Sequence, residues 1–190
     1  GSEYWVLKFV RELDDLILML RANELETGVI TIQSEGSSTV IQKLTNLLEE
    51  NQDNWLVNEI IGFIRRTFSR LDVSSRTIFT IVENNSCFAG FLSEFLFCAD
   101  RCYMINNALL NENKDGPYIN LCKLNFEMLE MVNGQTRLQT RFNNDQAKLK
   151  NLKDLSGKLL NAEEAYKYGL ITVIPDDLDW SEEIRLSIEE

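Results

Sequence analysis

Ile81-Val82-Glu83-Asn84-Asn85-Ser86-Cys87-Phe88-Ala89-Gly90-Phe91-Leu92-Ser93-Glu94, running on to Cys98-Ala99-Asp100-Arg101, is the stretch that decides the fold. It begins inside an apolar, β-branched run, Thr77-Ile78-Phe79-Thr80-Ile81-Val82, bounded by Ser74-Ser75 and Asn84-Asn85. Such a bounded run reads as a strand. Gly90 marks a sharp turn, because a backbone passing tightly from strand to helix favours the residue that lacks a Cβ. A short apolar helix is expected through Glu94 to Ala99. Asp100-Arg101 ends it before the next strand, Cys102-Tyr103-Met104-Ile105. Strands alternating with helices indicate α/β layering.

Upstream, residues 4–23 place Val6, Phe9, Val10, Leu13, Leu16, Ile17 and Leu20 on one helical face. Asn23 and Gly28 bracket its end, and Val29-Ile30-Thr31-Ile32 follows as a short buried strand. Helices are expected from about Thr39 to Glu50 and from Asn54 to Leu71. Downstream, Asn106 to Gly116 is a polar loop, and Tyr118-Ile119-Asn120-Leu121 is expected to resume the sheet. Helices are read at about 134–142, 145–153, 162–168 and 181–189. Asn161 caps the third, with Glu163 and Glu164 in its first turn and Gly169 at its end. Ile171-Thr172-Val173-Ile174 reads as a strand before Pro175. No internal repeat or linker is visible, so residues 3–190 are expected to form a single domain, with Gly1-Ser2 reading as a cloning scar.

The chain has 190 residues, enough to bury a real core in one domain. Its 19 Lys+Arg against 30 Asp+Glu exclude a general nucleic-acid binder, which gains affinity by neutralising phosphates. With no His, histidine triads and imidazole zinc sites are excluded. Acid–base work falls to carboxylates, Lys, Tyr or Cys. Cys87, Cys98, Cys102 and Cys122 form no C-x-x-C pair and read as small core residues, so no metal or cofactor is expected. Reduced cysteines fit a cytoplasmic setting, with an organelle matrix equally compatible. No run is long and apolar enough for a membrane helix.

Two further segments carry a family resemblance together with the 81–101 stretch. One is Met131-Val132-Asn133-Gly134-Gln135-Thr136-Arg137-Leu138. The other runs from Ser156-Gly157-Lys158 through Ala162-Glu163-Glu164-Ala165 to Gly169-Leu170-Ile171. In order and spacing the three resemble the crotonase (enoyl-CoA hydratase/isomerase) superfamily over roughly residues 77–174. Within it, Leu71-Asp72-Val73-Ser74-Ser75-Arg76, Ser86-Cys87-Phe88-Ala89-Gly90 and Pro175-Asp176-Asp177 look closest to the benzoyl-CoA-dihydrodiol lyase subfamily, in its C-terminal crotonase-like half. The Arg11-Glu12-Leu13-Asp14-Asp15 helix extends that likeness over nearly the whole chain. The resemblance implies a crotonase-like (ClpP/crotonase) layered sheet with helices, and an acyl-CoA ligand.

That resemblance also implies where chemistry would sit. A thioester reacting next to its carbonyl develops charge on the oxygen, and two backbone N–H groups would stabilise it. Phe91, after Gly90, would offer one of them; Glu94 matches the first catalytic carboxylate; Gly90 and Gly134 mark the turns of the thioester site. Three departures stand against activity. Lys123 occupies the position of the second catalytic Glu, and an ammonium cannot play a carboxylate's role. For Lys123 a structural ion pair is favoured over a catalytic lysine; paired with Glu94, it would lower the Glu94 pKa. Ile32-Gln33-Ser34-Glu35-Gly36-Ser37-Ser38 stands where an A-x-G-x-D segment would carry the first oxyanion donor. The chain also opens at its first helix, so the superfamily's first β-hairpin is expected to be missing.

Residue by residue, Cys87 reads as core rather than nucleophile. Arg65, Arg66 and Arg70 fit the solvated face of the 54–71 helix better than CoA phosphates. Trp5, Trp55 and Trp180 read as core or interface aromatics. The leading expectation is a crotonase-fold domain with an incomplete active site and a structural or partner-binding role, self-assembling or bound to a partner protein. The alternatives are an active acyl-CoA lyase or hydratase using Glu94, and one half of a larger enzyme of that type.

Overall fold

The computed structural model describes residues 4–107, 116–175 and 180–189. Helix α1 (Trp5–Asn23) turns Val6, Val10 and Ile17 into the core. Its C-terminal end is held by Arg76, which donates to Leu20 O at 2.7 Å, Glu24 O at 2.6 Å and Thr27 O at 3.0 Å. A cation at the negative end of the helix thus ties α1 to the strand that follows Arg76.

Strands β1 (Val29–Ile32), β2 (Thr77–Val82) and β3 (Arg101–Met104) form a parallel sheet in the order β1-β2-β3. Parallel neighbours need crossovers. The first is α2 (Ser38–Glu50) with α3 (Trp55–Asp72), and the second is a 3₁₀ turn, Gly90–Ser93, with α4 (Glu94–Cys98). Strand alternation sends Ile78 and Val82 into the main core with Phe68, Phe91 and Leu96. Phe79 and Ile81 point the other way, into a smaller cluster with Tyr103, Ile105 and Trp180. Burial on both faces explains why β2 reads as a continuous apolar run. Asp100 pins the helix end to the strand, its N–H donating to Ile78 O and its carboxylate accepting from Ile78 N, both at 2.8 Å.

After β3 the chain carries α5 (Leu124–Glu127), α6 (Arg137–Arg141), α7 (Gln146–Lys153), α8 (Ala162–Lys167) and α9 (Trp180–Glu189). Capping boxes start two of them, Thr136 with Gln139 on α6 and Asn161 with Glu164 on α8. Two strand expectations need correction. Tyr118–Leu121 does not resume the parallel sheet: β4 (Ile119–Asn120) pairs antiparallel with β5 (Leu159–Leu160) as a separate ribbon. Ile171–Ile174 makes one parallel bridge, Tyr103 to Val173, rather than a strand. Val173 N donates to Cys102 O at 3.0 Å, Met104 N to Val173 O and Asn106 N to Pro175 O, both at 3.1 Å, but Pro175 has no N–H with which to complete the ladder. Most of the expected polar loop, residues 108–115, lies outside the described residues, as do Asp176 and Asp177. Among the described residues no helix is long and apolar enough to cross a membrane.

Candidate active site

The turn after β2 depends on Gly90, whose φ is +56°. A Cβ there would overlap the Thr45 hydroxyl and lie 2.9 Å from Thr45 Cβ. Both conformation and close approach therefore require glycine. Thr45 comes from α2, is fully buried, and donates to Ile41 O at 2.9 Å. Its oxygen also accepts the Phe91 N–H at 3.3 Å. The backbone donor that the family pattern assigns to an oxyanion is thus met by a side chain of this same protein. Ser93 closes the turn, donating to Gly90 O at 2.7 Å.

Glu94 opens α4 and has no exposed surface. One carboxylate oxygen accepts from Arg137 Nη1 at 2.6 Å, the other from Asn125 Nδ2 at 2.6 Å. Arg137 spreads its fork further, reaching Asp72 at 2.6 and 2.8 Å and Leu129 O at 3.1 Å. Its guanidinium carbon lies 5.6 Å from the centre of the Phe68 ring. Asn125 is fixed in turn, its side-chain oxygen accepting from Cys122 N at 2.8 Å. Helix α3 supplies Asp72, α4 Glu94, α5 Asn125 and α6 Arg137, so one network locks four helices together. Burial pushes the Glu94 carboxyl up, and Arg137 and Asn125 pull it back only in part. Burial pulls Arg137 down, but the two carboxylates beside it hold it above its usual value.

Lys123 does not pair with Glu94, contrary to expectation. Its side chain is half exposed, 3.6 Å from Glu127, which also binds Lys153 at 2.5 Å. Lys153 holds the Glu127 carboxyl below its usual range. The cation that meets Glu94 is Arg137, and the Glu94 pKa moves up rather than down. Gly134 lies apart from Gly90, on an exposed turn with φ +77°, where an added Cβ would meet nothing.

The Ile32–Ser38 loop does lie beside the Gly90 turn. Gly36 N donates to Asn85 O at 3.0 Å, and Cys87 N donates to Ser34 Oγ at 3.1 Å. A mostly apolar cavity of about 790 Å³ opens there between α1, β1 and α2, with Ser34, Gly36, Cys87 and Phe88 in its wall. Neither Glu94 nor Phe91 lines it. The basic residues of α3 have neighbours of their own. Arg70 pairs with Asp14 at 2.5 Å, Arg65 approaches Glu130 at 3.9 Å, and Arg66 lies over the Phe63 ring at 5.6 Å. Burial raises the thiols of Cys87, Cys98, Cys102 and Cys122, Cys102 to about 12. No metal-binding cluster occurs among the described residues. Trp180 is core, donating to Glu83 at 2.9 Å, while Trp5 and Trp55 are exposed.

Thr45, Asp72, Asn125 and Arg137 are the site residues that sequence reasoning missed. Thr45 carried a signal, since it falls on the apolar stripe of α2 between Ile41 and Leu48. Asp72 likewise ends the apolar stripe of α3.

No family model matches the sequence. It is 44% identical over all 190 residues to benzoyl-CoA-dihydrodiol lyase of Aromatoleum evansii, and it spans 33% of that protein's length. An enoyl-CoA hydratase from Bacillus anthracis superposes with a TM-score of 0.62 at 17% identity, covering 96% of this chain and 65% of its own. An enoyl-CoA hydratase/carnitine racemase from Magnetospirillum magneticum gives 0.66 at 12% identity, with 96% and 64% covered. The chain therefore has the crotonase fold, and along its whole length it is similar to one third of a benzoyl-CoA-dihydrodiol lyase.

Proposed function

We propose that this chain is a crotonase-fold scaffold in an acyl-CoA lyase system of the benzoyl-CoA-dihydrodiol lyase type, and that it performs no thioester chemistry at its own Glu94. One observation carries the reading: Glu94 is sealed from solvent and both its oxygens are occupied by Arg137 and Asn125. A general acid or base must come within hydrogen-bond reach of the proton it moves, and this carboxylate instead faces Arg137 and Asn125 in the interior. The Thr45 hydroxyl on the Phe91 N–H supports the same conclusion, because an oxyanion donor must be free to meet the developing charge. The chain spans a third of the length of its curated relative, and the reaction centre of this reading lies outside these 190 residues. The scaffold then contributes a folded surface for assembly.

Steady-state turnover and thermal-shift titration with CoA, benzoyl-CoA and several enoyl-CoA thioesters test this on wild type and Glu94→Gln. No turnover is expected from either protein. Turnover by the wild type that Glu94→Gln abolishes, with thioester binding retained, would refute the reading and return Glu94 to a catalytic role.

A further inference from the structure

We propose that Asn133 is a self-modifying site: its side-chain amide closes onto the Gly134 nitrogen, and water opens the ring to isoaspartate or Asp. Asn133-Gly134 is the only Asn-Gly pair in the sequence. An Asn cyclises when the next backbone nitrogen reaches its Cγ, and a side chain on that next residue crowds the approach. Glycine removes the obstacle. A Cβ on Gly134 would meet nothing, its φ is +77°, and Val132, Asn133 and Gly134 are all exposed. The turn therefore has room for a five-membered ring and for the water that opens it.

The turn also orients the reacting amide. Asn133 Oδ1 accepts the Gln135 N–H at 3.0 Å, the arrangement that folds an Asn side chain back along its own backbone. That N–H sits on the oxygen that becomes negative when Gly134 N adds to Cγ, and a fixed donor there stabilises the tetrahedral oxyanion. One bond opposes the reaction, since Gly134 N donates to Met131 O at 3.0 Å. It lies at an exposed loop tip, where local opening costs little. Hydroxide then takes the Gly134 amide proton and the N–Cγ bond forms. The Cγ–Nδ2 bond breaks, and Nδ2 leaves as ammonia with a proton from water, which regenerates the hydroxide. One water next adds to the succinimide. Cleavage of N–Cγ gives Asp. Cleavage between that nitrogen and the Asn133 main-chain carbonyl gives isoaspartate, with the chain now running through Cβ and Cγ. Either product adds one negative charge, and isoaspartate also puts one more carbon into the backbone. The turn has little slack for it. Met131 N donates to Gln135 O at 2.8 Å, and the flanking Glu130 and Thr136 are bridged antiparallel.

The test ages the folded protein at pH 8, digests it with trypsin and reads the peptides by mass spectrometry. Peptide 124–137 should gain the mass of an NH2-to-OH exchange, placed at Asn133 by fragmentation, with isoaspartate among the products. Conversion should run about tenfold faster than in peptide 142–148, whose exposed Asn143 and Asn144 precede residues that carry side chains. Asn133→Gln, whose longer side chain cannot close the same five-membered ring, should abolish the signal. Hydrogen exchange on the aged protein should show the Met131 and Gly134 amides losing protection. Freshly prepared Asn133→Asp, which has the charge without the extra carbon, should keep them protected. An Asn133 that stays intact in the folded protein but converts in urea overturns the proposal, because the turn would then shield it. A rate no faster than that of peptide 142–148 overturns it too, as does equal protection of the two amides before and after conversion.

Discussion

Arg137→Met is the most informative substitution. Methionine fills much of the same space and removes the charge, so the cavity left is small and the loss is electrostatic. Arg137 meets Glu94 at 2.6 Å and Asp72 at 2.6 Å, and the side chains of all three are 3% exposed or less. Removing the cation leaves two buried carboxylates facing each other with only neutral partners. Breaking a buried pair in this way typically costs about 3–5 kcal/mol. For a protein of this length that is a fall of roughly 6–20 °C in Tm. Glu94→Gln should cost less, about 1–2 kcal/mol, because Arg137 keeps Asp72 and the amide still offers an acceptor. The combination Asp72→Asn/Glu94→Gln/Arg137→Met should recover much of the loss, since no unpaired charge then remains. Urea unfolding at neutral pH, followed by far-UV circular dichroism, measures all three. If Arg137→Met costs under ~1 kcal/mol, or no more than Glu94→Gln, the network is not what holds these helices together. A triple variant no more stable than Arg137→Met would refute the electrostatic origin.

Gly90→Ala forces a left-handed backbone on a residue with a Cβ and drives that Cβ into Thr45, so a loss of at least ~2 kcal/mol is expected in urea unfolding. Adding Thr45→Ala should return part of it by relieving the overlap but not the backbone strain. The native protein should react slowly with a thiol reagent at pH 8, because burial raises all four cysteines, and unfolding should release four fast-reacting thiols. Glu94 gives an unusual pH signature, because its pKa in the fold lies above the unfolded 4.5. Between the two values the folded state binds more protons, so the contribution of Glu94 is complete below about pH 4.5 and is lost as pH rises through the folded value. The stability difference between wild type and Glu94→Gln, measured by urea unfolding, should therefore shrink with rising pH and then level off; a difference that grows would contradict it.

The long elements were legible because their patterns repeat. α1 and α3 each run through five turns of apolar spacing, and β2 is six consecutive residues buried on two faces after its first. β4 and β5 are two residues each, too short for any period, and only the fold brings Ile119 to Leu160. Ile171–Ile174 has strand composition, yet its pairing with β3 runs into Pro175, which has no N–H to donate, so only one bridge forms. In the site, Glu94, Gly90 and Phe91 stood out in the sequence by their motif positions. The partners that decide their chemistry did not, because Thr45 lies 46 positions from Phe91 and Arg137 lies 43 from Glu94. Pairing Lys123 with Glu94 failed for the same reason. Lys123, counted back from the Arg137 motif, lies half exposed beside Glu127, and the cation that meets Glu94 in space starts a different helix.

The three positions that the family resemblance assigned to a thioester site each have a partner within the protein. The Phe91 N–H is bonded to Thr45, Glu94 to Arg137 and Asn125, and the Lys123 position faces solvent beside Glu127. Two of these arrangements have a structural reason of their own. Gly90 lets α2 approach the turn closely enough for Thr45 to satisfy a buried N–H, which would otherwise cost about 1–3 kcal/mol. Glu94 and Asp72 together give Arg137 the two carboxylates that a buried guanidinium needs. Residues at these motif positions can therefore serve to hold helices together. Glu94 at its motif position is evidence of fold, and its reach to a substrate atom is the separate question that turnover in wild type and Glu94→Gln answers.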